Sequence, residues 1–173
     1  LMHSNPLFLT GNTDTVSVSS VLDLKRAGPT VIEIPPGTGP GTVNDAFFRF
    51  VTDTGPPGPD QGKGGTYLIL PPDRVQLQGE VPDDWFVAKS TSWTNWFIAR
   101  GFLKDGKPDY SRKLFREGLK IYPLSKADNP TKMEFYNGSE KAFNTIHSTN
   151  FDFYKELHAV IEREPVEMLD PQL

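Results

Sequence analysis

Pro29-Thr30-Val31-Ile32-Glu33-Ile34-Pro35-Pro36 is a short β-branched run closed by prolines. Branching at Cβ suits the pleated surface, and the flanking prolines end any regular ladder or helix, so the run reads as a strand. Upstream, Val16-Ser17-Val18-Ser19-Ser20-Val21-Leu22-Asp23-Leu24 alternates imperfectly between apolar and small polar residues and reads as a second. Downstream, Ala46-Phe47-Phe48-Arg49-Phe50-Val51-Thr52 reads as an aromatic strand. A period of two puts Arg49 on the face opposite Phe48 and Phe50, and the three phenylalanines are expected in the core.

The pattern continues outward. Thr66-Tyr67-Leu68-Ile69-Leu70 runs into Pro71-Pro72 as a buried strand, and Phe86-Val87-Ala88-Lys89-Ser90 and Asn95-Trp96-Phe97-Ile98-Ala99-Arg100-Gly101-Phe102 are further strands. Lys104-Asp105-Gly106-Lys107 supplies a turn after the last of these. In Lys132-Met133-Glu134-Phe135-Tyr136-Asn137-Gly138-Ser139 the Asn-Gly pair tolerates positive φ as a type I′ turn demands, which predicts a hairpin. Two helices follow different spacing. Residues 110–120 set Phe115 and Leu119 one turn apart, and from Asn150 the residues Phe153, Tyr154, Leu157, Val160 and Ile161 recur on one face until Pro165. Thr149 or Asn150 can cap that second helix.

Many short strands with helices late in the chain predict a mainly β (α+β) fold, an antiparallel, jelly-roll-like β-sandwich with two late helices. A doubly wound parallel sheet is the weaker alternative, because helical segments do not alternate with strands. The bulk numbers agree: 173 residues form one domain with its own core, and 16 Pro and 15 Gly imply many turns. A net charge of -4 gives no basic field for a phosphate backbone, which argues against nucleic acid. No apolar run is long enough to span a bilayer as a helix, and the absence of Cys excludes disulfides and thiolate zinc sites.

Seven strings occur in one order: Gly11-Asn12-Thr13-Asp14-Thr15-Val16, Leu22-Asp23-Leu24, Arg49-Phe50-Val51-Thr52-Asp53, Gly58-Pro59-Asp60-Gln61-Gly62-Lys63-Gly64-Gly65, Tyr67-Leu68-Ile69-Leu70-Pro71-Pro72, Arg100-Gly101-Phe102 and Phe143-Asn144-Thr145-Ile146-His147. Together they resemble the N-terminal module of the DUF1254 family, over residues 7–169. The resemblance implies a module followed by a second domain, DUF1214, in an exported, periplasmic or extracellular protein, and so a fragment of a longer chain. Ser17 stands where family members commonly carry an aromatic residue, and Arg74-Val75-Gln76-Leu77-Gln78 replaces a more usual Gly-containing turn. The family brings no activity with it.

Candidate chemistry is sparse. Asn12, Thr13, Asp14 and Thr15 gather an amide, a carboxylate and two hydroxyls able to hold a hard cation or a sugar, although a turn capping its own backbone needs the same residues. His147 lies between a strand end and a helix start, and it and Asp14 are the candidates for catalytic roles, His147 as general base or metal ligand. His3 and His158 are not. Arg49 and Arg100 stand within apolar strands and should face solvent, bind an anion, or pair with a carboxylate such as Asp14, Asp23, Asp53 or Glu33. Trp93 and Trp96, with Trp85 and several tyrosines, offer stacking surfaces for sugar rings, or core. The Gly-rich run 54–65 lacks the ending of a phosphate-binding loop and reads as a surface connection.

Two functions stay open. One is a binding or structural module of the cell envelope, holding a glycan, a peptide, a small molecule or a neighbouring domain. The other is a hydrolase whose site lies at the interface with the second domain. Metal, cofactor and oligomeric state are not specified by the sequence.

Overall fold

The computed structural model describes residues 14–73, 77, 80–138 and 146–165. In chain order the elements are β1 (Thr15–Asp23), α1 (Leu24–Ala27), β2 (Thr30–Ile34), β3 (Gly41–Asp45), β4 (Phe50–Thr54), β5 (Gly65–Leu70), β6 (Phe86–Lys89), β7 (Thr94–Phe102), α2 (Asp109–Gly118), β8 (Lys120–Pro123), a 3-10 turn (Leu124–Lys126) and α3 (Asp152–Arg163). The fold is mainly β. One sheet runs β1-β7-β3-β4 and the other β6-β5-β2-β8; all pairs are antiparallel except β5 with β6.

Side-chain alternation explains how the sheets stack. Leu22, Val43, Phe97 and Ala99 point inward from the first sheet and meet Ile32, Ile34, Tyr67 and Ile69 of the second in one buried cluster. The second sheet is covered on its other face too. There Val31, Leu68 and Tyr122 form a smaller cluster under Leu70, Leu77, Val81, Trp85 and Leu124. Coverage on both faces is why its strands read as continuous apolar runs. Gly101 matters for α2: a Cβ there would lie 2.5 Å from that of Ser111, so only a bare Cα lets the helix settle on β7. Ser111 then donates to the carbonyl of Phe102 at 2.6 Å, and Phe115 enters the core.

Two expectations need correction. Residues 46–49 are a turn between β3 and β4, not strand. The carboxylate of Asp45 accepts the amides of Phe47 and Arg49 at 2.9 and 2.8 Å, closing a loop in which Phe48 takes φ +62. That turn lifts Phe48 (71% exposed) and Phe50 (68%) out of the core. Residues 132–138, the first arm expected of the Asn137-Gly138 hairpin, carry no strand, and its second arm lies outside the described residues. Arg49 pairs with a carboxylate, that of Asp45, at 2.7 Å.

The helix of residues 110–120 forms as α2, although Lys120 already belongs to β8. α3 also forms, with the amide of Asp152 donating to the side chain of Asn150 at 2.8 Å. None of its residues is buried. It is fastened at its end instead: Arg163 meets the carboxylate of Asp23 at 2.5 Å, and buried Glu164 accepts the amides of Trp93 and Thr94 at 2.5 and 3.0 Å. The Arg163 hydrogen bond, with help from the amide of Arg26, holds the Asp23 carboxyl below its ordinary pKa.

The Gly-rich connection is an ordered set of turns. Asp60 is buried and accepts from the amides of Gly55 (2.7 Å) and Gly64 (3.2 Å) and from the hydroxyl of Tyr67. Burial and the Asp60 carboxylate push the Tyr67 phenol far up. Tyr122 is pushed up to about 12 by burial and by its bond to Glu33.

Candidate functional site

The first sheet keeps its outer face open, and β7 is its axis. Trp96, Ile98, Arg100 and Phe102 alternate with the buried Asn95, Phe97, Ala99 and Gly101 and point the other way. Antiparallel register extends each into a row across the sheet. Val21, Trp96, Asn44 and Phe50 stand opposite one another on four strands. The next row is Ser19, Ile98, Thr42 and Asp53, then Ser17 opposite Arg100, then Thr15 opposite Phe102.

The first row is apolar at three of its four positions and exposed at both ends, Val21 being 67% exposed. Phe48 adds to it from the β3–β4 turn, its ring 5.7 Å from that of Trp96 and inclined by 26°. Trp96 is fixed from the other side by its indole N–H, which donates to Ser19 Oγ at 2.6 Å. Two features therefore build one aromatic platform: strand register sets Trp96 and Phe50, and the Asp45 turn sets Phe48. Burial alone would raise the pKa of Asp45, but bonds from the Arg49 amide, Thr91, the Arg49 guanidinium and the Phe47 amide lower it overall.

Of the residues singled out from the sequence, Trp96 and Arg100 are brought to this face. Ser17, where the sequence departs from the family, sits opposite Arg100. Asp14 is exposed at the end of the face, just before Thr15, while Asn12 and Thr13 lie outside the described residues. Arg49 is engaged in the turn: its guanidinium also donates to Thr91 at 3.0 Å and covers the Phe47 ring at 5.1 Å. Trp93 has inward parity and packs on the main core. His147 is exposed in the loop before α3, with Nδ1 2.9 Å from the Ser148 carbonyl and its ring 5.1 Å from Phe153. Among the described residues, no three His, Asp or Glu side chains gather as a metal would require.

The missed members are Val21, Phe48 and Phe50. The signal for Phe48 was available in Asp45, a turn-forming residue two positions before Phe47.

Fold and face together define a two-sheet β module with an aromatic surface on one open sheet. The family described as "Protein of unknown function (DUF1254)" matches residues 1–123, and the chain belongs to that family. The match ends with β8, so α3 and the string ending at His147 lie past it. A solved structure, the VPA0106 protein from Vibrio parahaemolyticus, is similar in fold, with a TM-score of 0.55 at 19% identity. The likeness covers 79% of this chain and 36% of that one, so the chain matches little more than a third of that protein's length. Comparison with curated proteins gave no match. No helix among the described residues is long and apolar enough to cross a membrane.

Proposed function

We propose that the chain is a binding module, and that the outer face of its first sheet seats a further domain of the same protein. The observation that carries this is the platform in which Val21, Phe48 and Phe50 stand exposed around half-buried Trp96, on a sheet whose opposite face is core. Contiguous apolar surface of this kind marks interaction sites, and aromatic residues with arginine nearby are what interface cores enrich. The polar rows of Ser19, Thr42, Asp53, Ser17 and Arg100 would form the rim. The greater length of the VPA0106 chain supports an occupant within the same polypeptide. A setting outside the cytoplasm belongs to the proposal and rests on the family resemblance.

A photo-crosslinking residue placed at Phe50 in the native-length protein tests this. Crosslinked peptides from beyond the module support the reading. Crosslinks only to a second copy of this module, or none, overturn it.

A further inference from the structure

Where β1 and β8 form neighbouring sheet edges, a cleft of about 560 Å3 opens between them and α2. It borders the outer face at Ser17 and Ser19 but includes none of Val21, Phe48, Phe50 and Trp96. One wall is the edge of β1 over residues 16–20, and the opposite wall is residues 133–138, without regular secondary structure. Phe115, Leu119, Ile121 and Phe135 supply an apolar floor.

Among the described residues β1 pairs on one side only, with β7. In an antiparallel edge strand every second residue turns its N–H and C=O away from its partner. Apart from the ladder to β7, none of the described hydrogen bonds reaches the main chain of residues 16–20. The cleft thus presents an unused strand edge beside an apolar floor.

Its charge is one-sided. Arg112 and Arg116 both line it. Arg112 comes no nearer than 3.8 Å to Asp109, and Arg116 has no ion pair among the described residues. The acid on the far wall, Glu134, accepts the Tyr136 hydroxyl at 3.3 Å. A small apolar acid would answer the arginines and the floor but leave the edge unpaired. An extended peptide answers all three.

We infer that this cleft binds an extended peptide segment, which adds as a strand to the free edge of β1 and sets an acidic side chain against Arg112 and Arg116. Main-chain bonds along the edge supply affinity, and the arginines select among sequences.

The probe is a fluorescent peptide of about eight residues, alternating valine and threonine around one central glutamate, a length matched to an ordinary strand. Anisotropy should report saturable binding, and amide exchange should slow within residues 16–20 when it binds. Arg116→Gln, a surface change that leaves the circular dichroism spectrum intact, should weaken binding about tenfold, near 1.4 kcal/mol. N-methylation of alternate peptide amides should abolish it. The inference fails if the N-methylated peptide binds equally, if protection falls on another strand, or if nothing binds up to about 1 mM. It also fails if octanoate, and not the peptide, protects that edge.

Discussion

The carboxylate of Glu164 lies 2.5 Å from the amide nitrogen of Trp93, joining the residue after α3 to the start of β7 across 71 positions of sequence. With no buried residue of its own, α3 depends on this contact and on Arg163 for its place. Helices are usually held by an apolar face; this one is held by charge at one end.

Glu164→Gln should therefore loosen α3 more than it harms the sandwich. The cost expected is about 1.5–3 kcal/mol, that of charge-assisted bonds to buried amides. Exchange of the Trp93 and Thr94 amides should accelerate, and protease should cut within α3 sooner. Unchanged exchange at both amides would refute the anchoring role.

The Asp23–Arg163 pair makes the same anchor sensitive to acid. The Asp23 carboxyl is held below its ordinary value of 3.8, so its contribution is present above that pH and is lost as pH falls through the lower, folded value. Exposure of the arginine keeps the contribution small. Helix signals of α3, followed by NMR from neutral pH downward, should weaken in the acid range, and Asp23→Asn should weaken them already at neutral pH. A variant indistinguishable from wild type at every pH would argue against it.

Alkali should act through the opposite sign. Tyr67 and Tyr122 stay protonated in the fold beyond the ordinary tyrosine value of 10.0, so their contribution holds below that pH and declines as pH rises through the folded values. Ultraviolet titration should show two of the five tyrosines ionising late. Tyr67→Phe should remove one late step and cost about 1–3 kcal/mol, because Asp60 loses a buried donor. Simultaneous ionisation of all five would overturn the assignment.

Inward and outward positions of β7 should differ sharply in stability. Phe97→Ala, in the core, should cost about 3–5 kcal/mol, whereas Arg100→Ala on the outer face should change stability by no more than about 0.5 kcal/mol. Chemical denaturation of both variants measures the contrast, and equal losses would mean the outer face is not open.

Much of this was legible in the sequence. β5 and β7 declare themselves through β-branched and aromatic runs, because local pattern and final environment agree there; the spacing of α3 gives its helix but not its surroundings, since Tyr154, Leu157, Val160 and Ile161 stay exposed. β3 did not: Gly41-Thr42-Val43-Asn44-Asp45 is rich in turn-formers, and only its position between β4 and β7 makes it a strand. Asn137-Gly138 erred the other way for its first arm, residues 132–136, which carry no strand: a turn signal alone does not make its flanks extended. Trp96 and Arg100 could be put on one face by counting alternate residues. Their meeting with Val21 and Phe50 could not, because rows across a sheet depend on strand order.

The alternation along β7 separates what the protein must keep from what it can vary. Asn95, Phe97, Ala99 and Gly101 answer to the interior, and Gly101 also to the close approach of α2. Trp96, Ile98, Arg100 and Phe102 face outward, Trp96 held there by Ser19 and the Phe48 ring. If the outer face seats a partner as proposed, its specificity could be rewritten by changing every second residue of a single strand while the core residues between them stay in place.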